Sequence, residues 1–338
     1  MVLSRQFGLA AAVFALGATT SAQALEKVSF GTNWVAQAEH GGYYQALADG
    51  TYEACGLNVE IKPGGPQANN RILLPVGKID FLMGGNMLQA FSAVEQDIPT
   101  VVVAGHFQKE PQILMTHPGE GLDTWESLKE IDLLLGKGGL NSFYQWMKAE
   151  FGFTDEQVKP YTFNSAPFLA DKRIGQQGYV TSEPYAIEKE GGFTPNIFLI
   201  ADHGYDTYAT TVETRTELVE TKPEVVKCFV EGSAIGWVNF LYGDNSKALE
   251  LIKKDNPGMS DEQMMFSIEK MKEYGIVDSG DALELGIGAM TDERNKSFFD
   301  KMVAAGVVKP EVDYTKSYTL EFVNKGVGVD LKKKLLGN

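Results

Sequence analysis

Strand-like and helical patterns alternate over the first 200 residues of the chain, and this alternation limits the fold more than any other feature. The strand-like runs are rich in Val, Ile, Leu and Phe and lie at 27–32, 57–61, 78–84, 100–106, 131–136, 158–163, 177–182 and 196–201. The helical stretches between them lie near 40–49, 67–76, 86–95, 142–151, 166–173 and 183–190. Such alternation predicts βαβ units, and therefore mostly parallel sheets with helices on both faces.

The pattern changes near residue 215, after which we predict only helices. The stretches with a helical period are 223–243, 246–255, 260–275 and 291–306. Pro223 suits the first turn of a helix, and Ser260 and Thr291 are predicted to cap two of the others. We refer to residues 216–338 as the helical tail.

Two segments without a helical period interrupt the βα pattern, at 107–121 and 204–215. We interpret them as two crossings between lobes. The sequence therefore predicts an α/β protein of two lobes. Residues 112–206 would form lobe 2, inserted into a lobe 1 that consists of 25–111 and 207–338.

The N-terminus has the pattern of a secretory signal peptide. Arg5 precedes an apolar run at 9–18, and small residues occupy the positions before a cleavage point in Ser-Ala-Gln-Ala at 21–24. The apolar run is too short to span a membrane. We predict that residues 1–24 are removed, that the mature chain begins near Leu25, and that it is exported.

The chain is acidic, with a formal net charge of −15. Removal of Arg5 with the signal peptide would make the charge −15 − 1 = −16. An acidic surface repels nucleic acid and anionic lipid, so we expect neither as a partner.

The two cysteines, Cys55 and Cys228, lie far apart in the sequence. Export permits a disulfide between them, but two separate thiols are the interpretation we favour. Two distant cysteines make no zinc site, and the histidines at positions 40, 106, 117 and 203 are scattered. Gly-x-Ser-x-Gly, His-Glu-x-x-His and Cys-x-x-Cys motifs are absent. We therefore predict no metal, no cofactor and no catalytic centre.

Polar and aromatic residues follow four of the strand-like runs, at points where helices begin. In α/β sheets ligands bind beyond the carboxyl ends of strands, so the four points can converge on one cleft. The first is the stretch 33–44, where Trp34 offers a flat apolar face with one hydrogen-bond donor. The second is 84–86. The alternative is that the aromatic residues only pack the lobe, His40 caps a helix, and the glycines make a tight turn.

The other two points lie in the predicted lobe 2. GKGGLNSFYQW at 136–146 places Asn141 and Ser142 at a helix start, which suits a carboxylate, sulfonate or phosphate; the alternative is a plain N-cap. GYVTSEPYAIE at 178–188 places Glu183 at a strand end. Its carboxylate could bind an amine or an amidine-like edge; the alternative is a Glu favoured only by the helix dipole.

With these features the chain resembles the periplasmic solute-binding proteins of ABC importers, and within them the NMT1/THI5-like group. TNWVAQAEHGGYYQALADGTYEACGLNVEI at 32–61 is similar to that group's Asn/Asp-Trp, its His six residues after the Trp, and its "GYF…GLDV" continuation. GKIDFLMGG at 77–85, Glu-Pro at 110–111 and the Glu of 178–188 also match. The resemblance covers nearly the whole mature chain and implies a type II periplasmic-binding-protein fold.

The group contains a pyrimidine-making enzyme as well as import proteins, and this sequence departs from the enzyme. Gly84 occupies the position of the enzyme's pyridoxal-phosphate lysine, and 204–210 holds no cysteine where the enzyme has a cluster. Gln37 stands where the import proteins of the group have Asn. We therefore expect a binding protein, in which His40 is a cleft residue and not a reactant.

The resemblance also implies roles for side chains. Trp34 would stack on a ring bordered by Asn33, Glu183 would bond the edge of an aminopyrimidine, and Tyr205 or Tyr208 would close the other face. Asn86, Gln108, Asn141 and Ser142 would contact the substituent of the ring. The full set of expected ligand-binding residues is Asn33, Trp34, His40, Tyr44, Asn86, Gln108, Asn141, Ser142, Glu183, Tyr205 and Tyr208.

We predict a monomeric exported protein that captures a small polar heterocycle, a thiamine-related aminopyrimidine, and delivers it to an ABC importer permease. The first alternative is an alkanesulfonate, taurine or nitrate, held at Asn141 and Ser142. The second is an enzyme, either a pyrimidine synthase or a hydrolase. The third is a binding partner for a sensor kinase.

Overall fold

Two five-stranded sheets organise the chain in the computed structural model, which describes residues 24–65 and 68–337. The strands are β1 (Glu26–Gly31), β2 (Leu57–Lys62), β3 (Phe81–Met83), β4 (Thr100–Phe107), β5 (Gln112–Thr116), β6 (Asp132–Leu135), β7 (Val158–Pro160), β8 (Ile174–Tyr179), β9 (Asn196–Leu199) and β10 (Ala209–Arg215). The predicted signal peptide lies outside the described residues, apart from its last residue.

Helices surround both sheets and make up most of the helical tail. The α-helices are α1 (Gly41–Ala48), α2 (Thr51–Ala54), α3 (Met87–Glu95), α4 (Lys137–Leu140), α5 (Phe143–Phe151), α6 (Ala166–Ala170), α7 (Glu183–Gly191), α8 (Thr216–Thr221), α9 (Pro223–Tyr242), α10 (Ser246–Asp255), α11 (Asp261–Glu273), α12 (Ala282–Leu285), α13 (Asp292–Ala304) and α14 (Val329–Leu335). Short 3₁₀ helices lie at Ala38–His40, Asn70–Leu73, Glu126–Glu130, Asp155–Gln157, Ile200–His203 and Tyr314–Ser317.

Sheet 1 has the strand order β2-β1-β3-β10-β4 and sheet 2 the order β7-β6-β8-β5-β9. We call the part of the chain around sheet 1 lobe 1 and the part around sheet 2 lobe 2. The predicted two-lobed α/β fold is confirmed. The expectation of mostly parallel sheets is also confirmed, because four of the five strands of each sheet run in the same direction. One strand in each sheet is reversed and pairs antiparallel with both of its neighbours: β10 with β3 and β4, and β5 with β8 and β9.

The antiparallel pairs involve the two strands that directly follow the crossings between lobes, β5 and β10. β5 and β10 fall in the two segments that were predicted only to be extended. β10 re-enters lobe 1 from lobe 2, runs opposite to its neighbours and lies between β3 and the edge strand β4 in sheet 1. The helix expected at 67–76 is reduced to the 3₁₀ helix Asn70–Leu73, because Pro75 and the turn at Gly77 prevent its extension.

The long helix α9 anchors the tail to lobe 1. The ring of Phe229 stacks on Phe81 of β3, with 4.1 Å between the ring centroids. At Gly236 the helix lies so close to α1 that a Cβ atom would overlap the carbonyl oxygen of Gly42. Only glycine permits this approach, so the contact fixes α9 against the helix that follows the first strand.

Both predicted tail caps are confirmed. The Ser260 hydroxyl accepts a hydrogen bond from the amide of Gln263 (3.1 Å), and the Thr291 hydroxyl accepts one from the amide of Arg294 (3.3 Å). These bonds satisfy amide groups that the first turn of a helix leaves without partners.

Cys55 and Cys228 form a disulfide, with a Cα–Cα distance of 5.8 Å. The favoured interpretation of two separate thiols is therefore wrong. The bridge joins the end of α2 to α9, two helices that pack together in lobe 1 although 173 residues separate the cysteines. Within the described part of the chain, no helix combines the length and apolar character that a bilayer span requires.

Candidate functional site between the lobes

A cleft of about 300 Å³ separates the two lobes. Its floor and walls are the ends of strands and the starts of helices from both sheets. Lobe 1 contributes Asn33, Trp34, Gln37, Glu39, His40, Met83, Gln89 and Thr210; lobe 2 contributes Gln112, Gly138, Gly139, Tyr161, Phe163, Gln177, Gly178, Tyr179, Ser182 and Glu183. Of the expected ligand-binding residues, the structure brings Asn33, Trp34, His40 and Glu183 to this cleft.

The lobe 1 wall follows β1 and leads into α1. Trp34 is partly exposed there, whereas His40 is fully buried. Neither ring nitrogen of His40 has a hydrogen-bond partner among the described residues. Burial lowers the pKa of His40 to about 3, so the ring is neutral and presents one donor and one acceptor. A ligand in the cleft is a natural partner for these unsatisfied groups, because a buried polar atom without a partner is costly.

The lobe 2 wall is the end of β8 and the start of α7. Glu183 is the first residue of α7, and its carboxylate accepts a hydrogen bond from the amide of Tyr179 (2.7 Å). Gly178 makes room for this arrangement, since a Cβ there would lie 2.7 Å from Cβ of Glu183. Burial raises the pKa of Glu183 above its ordinary value.

A second carboxylate belongs to the cleft, and sequence reasoning missed it. Glu39 lies on the 3₁₀ helix Ala38–His40 and is 3% exposed. Its carboxylate accepts a hydrogen bond from the hydroxyl of Thr181 in lobe 2 (2.5 Å). Burial is the main reason that its pKa rises to about 7, and the charge of Glu183 adds to the effect.

The cleft thus has acidic side chains without basic partners. Two glutamates line it, one from each lobe, and none of the described lining residues is Lys or Arg. Its other polar groups are amides, hydroxyls and the neutral His40. Such a site accepts hydrogen bonds from a neutral or positively charged ligand and disfavours an anion.

A second cleft, of about 610 Å³, lies beside the first and shares Gln89 and Gly138 with it. It holds the predicted residues Asn141 and Ser142. It also contains cations: Lys137 is exposed, and Arg71 binds the buried carboxylate of Glu213 with a nitrogen–oxygen distance of 2.5 Å. The Ser142 hydroxyl donates to the carbonyl of Gly138 (2.7 Å) and does not cap α5.

The remaining expected residues do not line either cleft. Tyr44 packs inside lobe 1 and donates to Asp255 (2.7 Å), because α1 turns that side of the helix toward α10. Asn86 caps α3 and donates to the buried carboxylate of Glu110 (3.0 Å). The Tyr44 hydroxyl and the Asn86 side-chain amide, which were predicted to bind the ligand, are thus already hydrogen-bonded within the protein.

The last three lie at the crossings between lobes. Gln108 donates to the carbonyls of Gly105 and Ala289, both at 2.9 Å. Tyr205 is fully buried, and Tyr208 donates to Asp281 (2.5 Å). The bonds of Gln108 and Tyr208 hold the crossings against the tail, so their polar groups have partners without a ligand. The buried hydroxyl of Tyr205 has no hydrogen-bond partner among the described residues.

Several cleft residues had a signal in the sequence that was not used. Tyr161 and Phe163 follow β7, and Tyr179 ends β8, so the rule that ligands bind beyond strand ends applies to them as well. Glu39 lies in the stretch 33–44 that the same rule singled out, but nothing in that stretch distinguished it from its neighbours. Its burial depends on contact with Thr181, which no local pattern reveals.

Gly84, the position compared with the enzyme's lysine, has no room for a side chain. A Cβ atom there would overlap the carboxylate of Glu213 and the hydroxyl of Thr211. The residues that surround this position therefore do not fit a lysine-bound pyridoxal phosphate.

A family model described as "NMT1/THI5 like" matches residues 37–242, more than half of the chain. The chain belongs to the NMT1/THI5-like family. This confirms the resemblance that 32–61 and 77–85 suggested. The matched region contains Glu39, His40, Glu183 and all of lobe 2, so most of the cleft lies within the part that defines the family.

Solved structures share the fold of this family member. The alkanesulfonate-binding protein SsuA from Xanthomonas axonopodis pv. citri bound to MOPS is 13% identical, with a TM-score of 0.62 over 88% of this chain and 99% of that one. The periplasmic aliphatic sulphonate binding protein SsuA from Escherichia coli is 15% identical, with a TM-score of 0.60 over 86% and 91%. No curated protein sequence matches the chain.

The same fold also carries catalysis. The desulfurization enzyme DSZB is 11% identical to this family member, with a TM-score of 0.55 over 88% of this chain and 97% of that one. At these identities the likeness establishes the two-lobed periplasmic-binding-protein fold. The function must be argued from the cleft.

Proposed function

We propose that the protein is the solute-binding subunit of an ABC importer, which binds a small molecule between its lobes and delivers it to a permease. The observation that carries the proposal is the cleft, whose walls come from both lobes and contain unsatisfied buried polar atoms. Ligand sites favour such positions between domains. The disulfide between Cys55 and Cys228 supports an oxidising compartment such as the periplasm.

For the ligand, the cleft's side chains support a polar ring that carries amino groups. Glu39 and Glu183 can accept hydrogen bonds from N–H groups of the ligand, and the neutral His40 can both donate and accept. Trp34 supplies an apolar face. An aminopyrimidine related to thiamine satisfies these requirements.

An alkanesulfonate is the second candidate, and the comparisons favour it over the aminopyrimidine. The SsuA proteins described above are named for sulfonate binding. In this chain the second cleft offers an anion the exposed Lys137 beside Asn141 and Ser142, whereas Arg71 is already paired there with Glu213. The glutamates of the first cleft count against a sulfonate in that position.

Calorimetric titration of the purified protein tests both candidates, after unfolding and refolding to remove bound ligand. The panel contains aminopyrimidines, thiamine, taurine, longer alkanesulfonates and nitrate. Binding of an aminopyrimidine that Glu183→Gln weakens, while Lys137→Ala leaves it unchanged, supports the first candidate. Binding of a sulfonate that Lys137→Ala weakens supports the second. Absence of binding across a panel widened to other small polar metabolites would contradict the proposed role.

A further inference from the structure

Phe163 has a backbone conformation that is unfavourable for its residue type. Its φ angle is 61°, and it follows β7 at the edge of the cleft. A left-handed conformation is unfavourable for an L-residue with a bulky side chain, whereas glycine or asparagine adopts it easily. Thr210, with a φ of 45°, lines the same cleft from lobe 1. Such conformations concentrate at functional sites, where the surrounding structure holds them in place.

The side chain of Phe163 gains little from burial. The residue remains 52% exposed, although it is large and apolar. Its ring nevertheless contacts Trp34 of the opposite lobe, with 4.7 Å between centroids and 51° between the ring planes. On its other side it contacts Tyr161, at 5.2 Å. The unfavourable backbone thus places an exposed ring across the gap between the lobes.

We propose that Phe163 is the gate of the cleft: its ring closes over Trp34 from lobe 2 and controls the escape of a bound planar ligand. This inference rests on the proposed solute-binding function and adds a residue that determines ligand retention. A contact between aromatic rings of two lobes exists only when the lobes are closed. Closure is therefore stabilised by Phe163, and the ligand leaves when the ring separates from Trp34.

The contact between Phe163 and Trp34 can be tested without a ligand. Trp34 is partly exposed, whereas Trp125, Trp146 and Trp237 are all less than 10% exposed, at 8%, 1% and 0%. Quenching of tryptophan fluorescence by acrylamide therefore reports mainly on Trp34, and a Trp34→Phe variant identifies its share. Removal of the ring in Phe163→Ala should increase this quenching, and Phe163→Tyr should leave it as in the wild type.

Stopped-flow measurement of ligand release, with the best ligand of the calorimetric panel, tests retention. Phe163→Ala should release the ligand roughly tenfold faster, with a smaller change in the association rate. Phe163→Tyr should release it at the wild-type rate. Phe163→Gly and Phe163→Asn relieve the backbone, so they should melt at a higher temperature than Phe163→Ala but release the ligand as fast.

Two results would overturn the gate while the proposed function stands. One is wild-type release from Phe163→Ala. The other is slow release from Phe163→Gly, which would assign the effect to the backbone and not to the ring. If the wild-type protein binds no ligand, the proposed function fails. Acrylamide quenching still tests the gate in that case, because an unchanged accessibility of Trp34 in Phe163→Ala would exclude it.

Discussion

The hydroxyl of Thr181 in lobe 2 donates a hydrogen bond to the carboxylate of Glu39 in lobe 1. The carbonyl of the same Thr181 accepts a hydrogen bond from the hydroxyl of Ser267, on α11 of the helical tail, at 2.7 Å. Through Thr181, lobe 2 is therefore hydrogen-bonded both to Glu39 of lobe 1 and to Ser267 of the helical tail. Since Glu39 lines the cleft, its charge state affects this attachment and the ligand together.

Glu39 should make the protein less stable as the pH rises. Burial raises its pKa from 4.5 to about 7, so the folded state holds the proton more tightly than the unfolded state does. The contribution of Glu39 to stability is then greatest below about pH 4.5 and falls between pH 4.5 and 7, by up to roughly 3 kcal/mol. Glu39→Gln should remove this pH-dependent loss of stability, and the variant should be more stable than the wild type at pH 8.

Urea unfolding at several pH values between 4.5 and 8 measures the effect. Burial also raises the pKa of Glu110 to about 7. The Glu39→Gln variant should therefore still lose some stability as the pH rises, because Glu110 is unchanged. Glu53→Gln on the exposed surface of lobe 1 is the matched control and should follow the wild type. A Glu39→Gln variant with the wild-type slope would refute the prediction.

Glu183→Gln should weaken binding of an amine-bearing ligand by about 1–3 kcal/mol, because a carboxylate accepts hydrogen bonds from N–H groups more strongly than an amide oxygen does. Calorimetric titration measures the change. Glu190→Gln alters an exposed carboxylate of the same helix and should leave the affinity unchanged. Equal affinity of Glu183→Gln and the wild type would remove Glu183 from the ligand site.

Arg294 on α13 joins both crossings between the lobes. Its guanidinium donates to the carbonyl of Gln108 in the first crossing and to Asp206 in the second (3.1 Å from Nε), and lies 4.2 Å from the ring centroid of Tyr208. Arg294→Gln should therefore cost about 1–3 kcal/mol of stability and let the lobes separate further. Urea unfolding measures the first effect and the radius of gyration from X-ray scattering the second.

Lys296→Gln, on an exposed part of the same helix, is the control for Arg294. It removes a surface ion pair, which contributes little to stability. If the Arg294 and Lys296 variants have the same radius of gyration, Arg294 does not restrain the crossings.

The Cys55–Cys228 bridge should contribute about 2–5 kcal/mol to stability, because it closes a long loop in the unfolded chain. A Cys55→Ala/Cys228→Ala double variant should melt at a lower temperature than the oxidised protein. The wild type under reducing conditions should melt close to the double variant. Identical melting of oxidised and reduced wild-type protein would show that the bridge adds no stability.

The sequence predicted those parts of the fold that local patterns determine. The period of apolar residues located most strands and helices, and Ser260 and Thr291 located two helix starts. The strand predicted at 177–182 begins about three residues after the observed β8. Gln176 and Gln177 are buried polar residues and weaken the apolar pattern there. β10 was predicted only as extended, since its Thr-rich sequence has few large apolar side chains.

The cleft was predicted in part for a related reason. Asn33, Trp34 and His40 follow one strand, so the strand-end rule located them. The Glu39–Thr181 bond and the Cys55–Cys228 bridge join residues distant in sequence, and no local pattern shows such pairs. Tyr44 and Tyr208 have hydroxyls that bind Asp255 and Asp281, and sequence alone does not distinguish those partners from a ligand.

The position of β10 between β3 and β4 sets an order of assembly. Lobe 2 is continuous in sequence and can fold as soon as it has been synthesised. Until residues 209–215 have been synthesised, β10 is missing between β3 and β4, and both strands expose unpaired backbone groups. The lobe that starts the chain is therefore the last to be completed. Protection from aggregation is needed most during the interval before β10 is inserted.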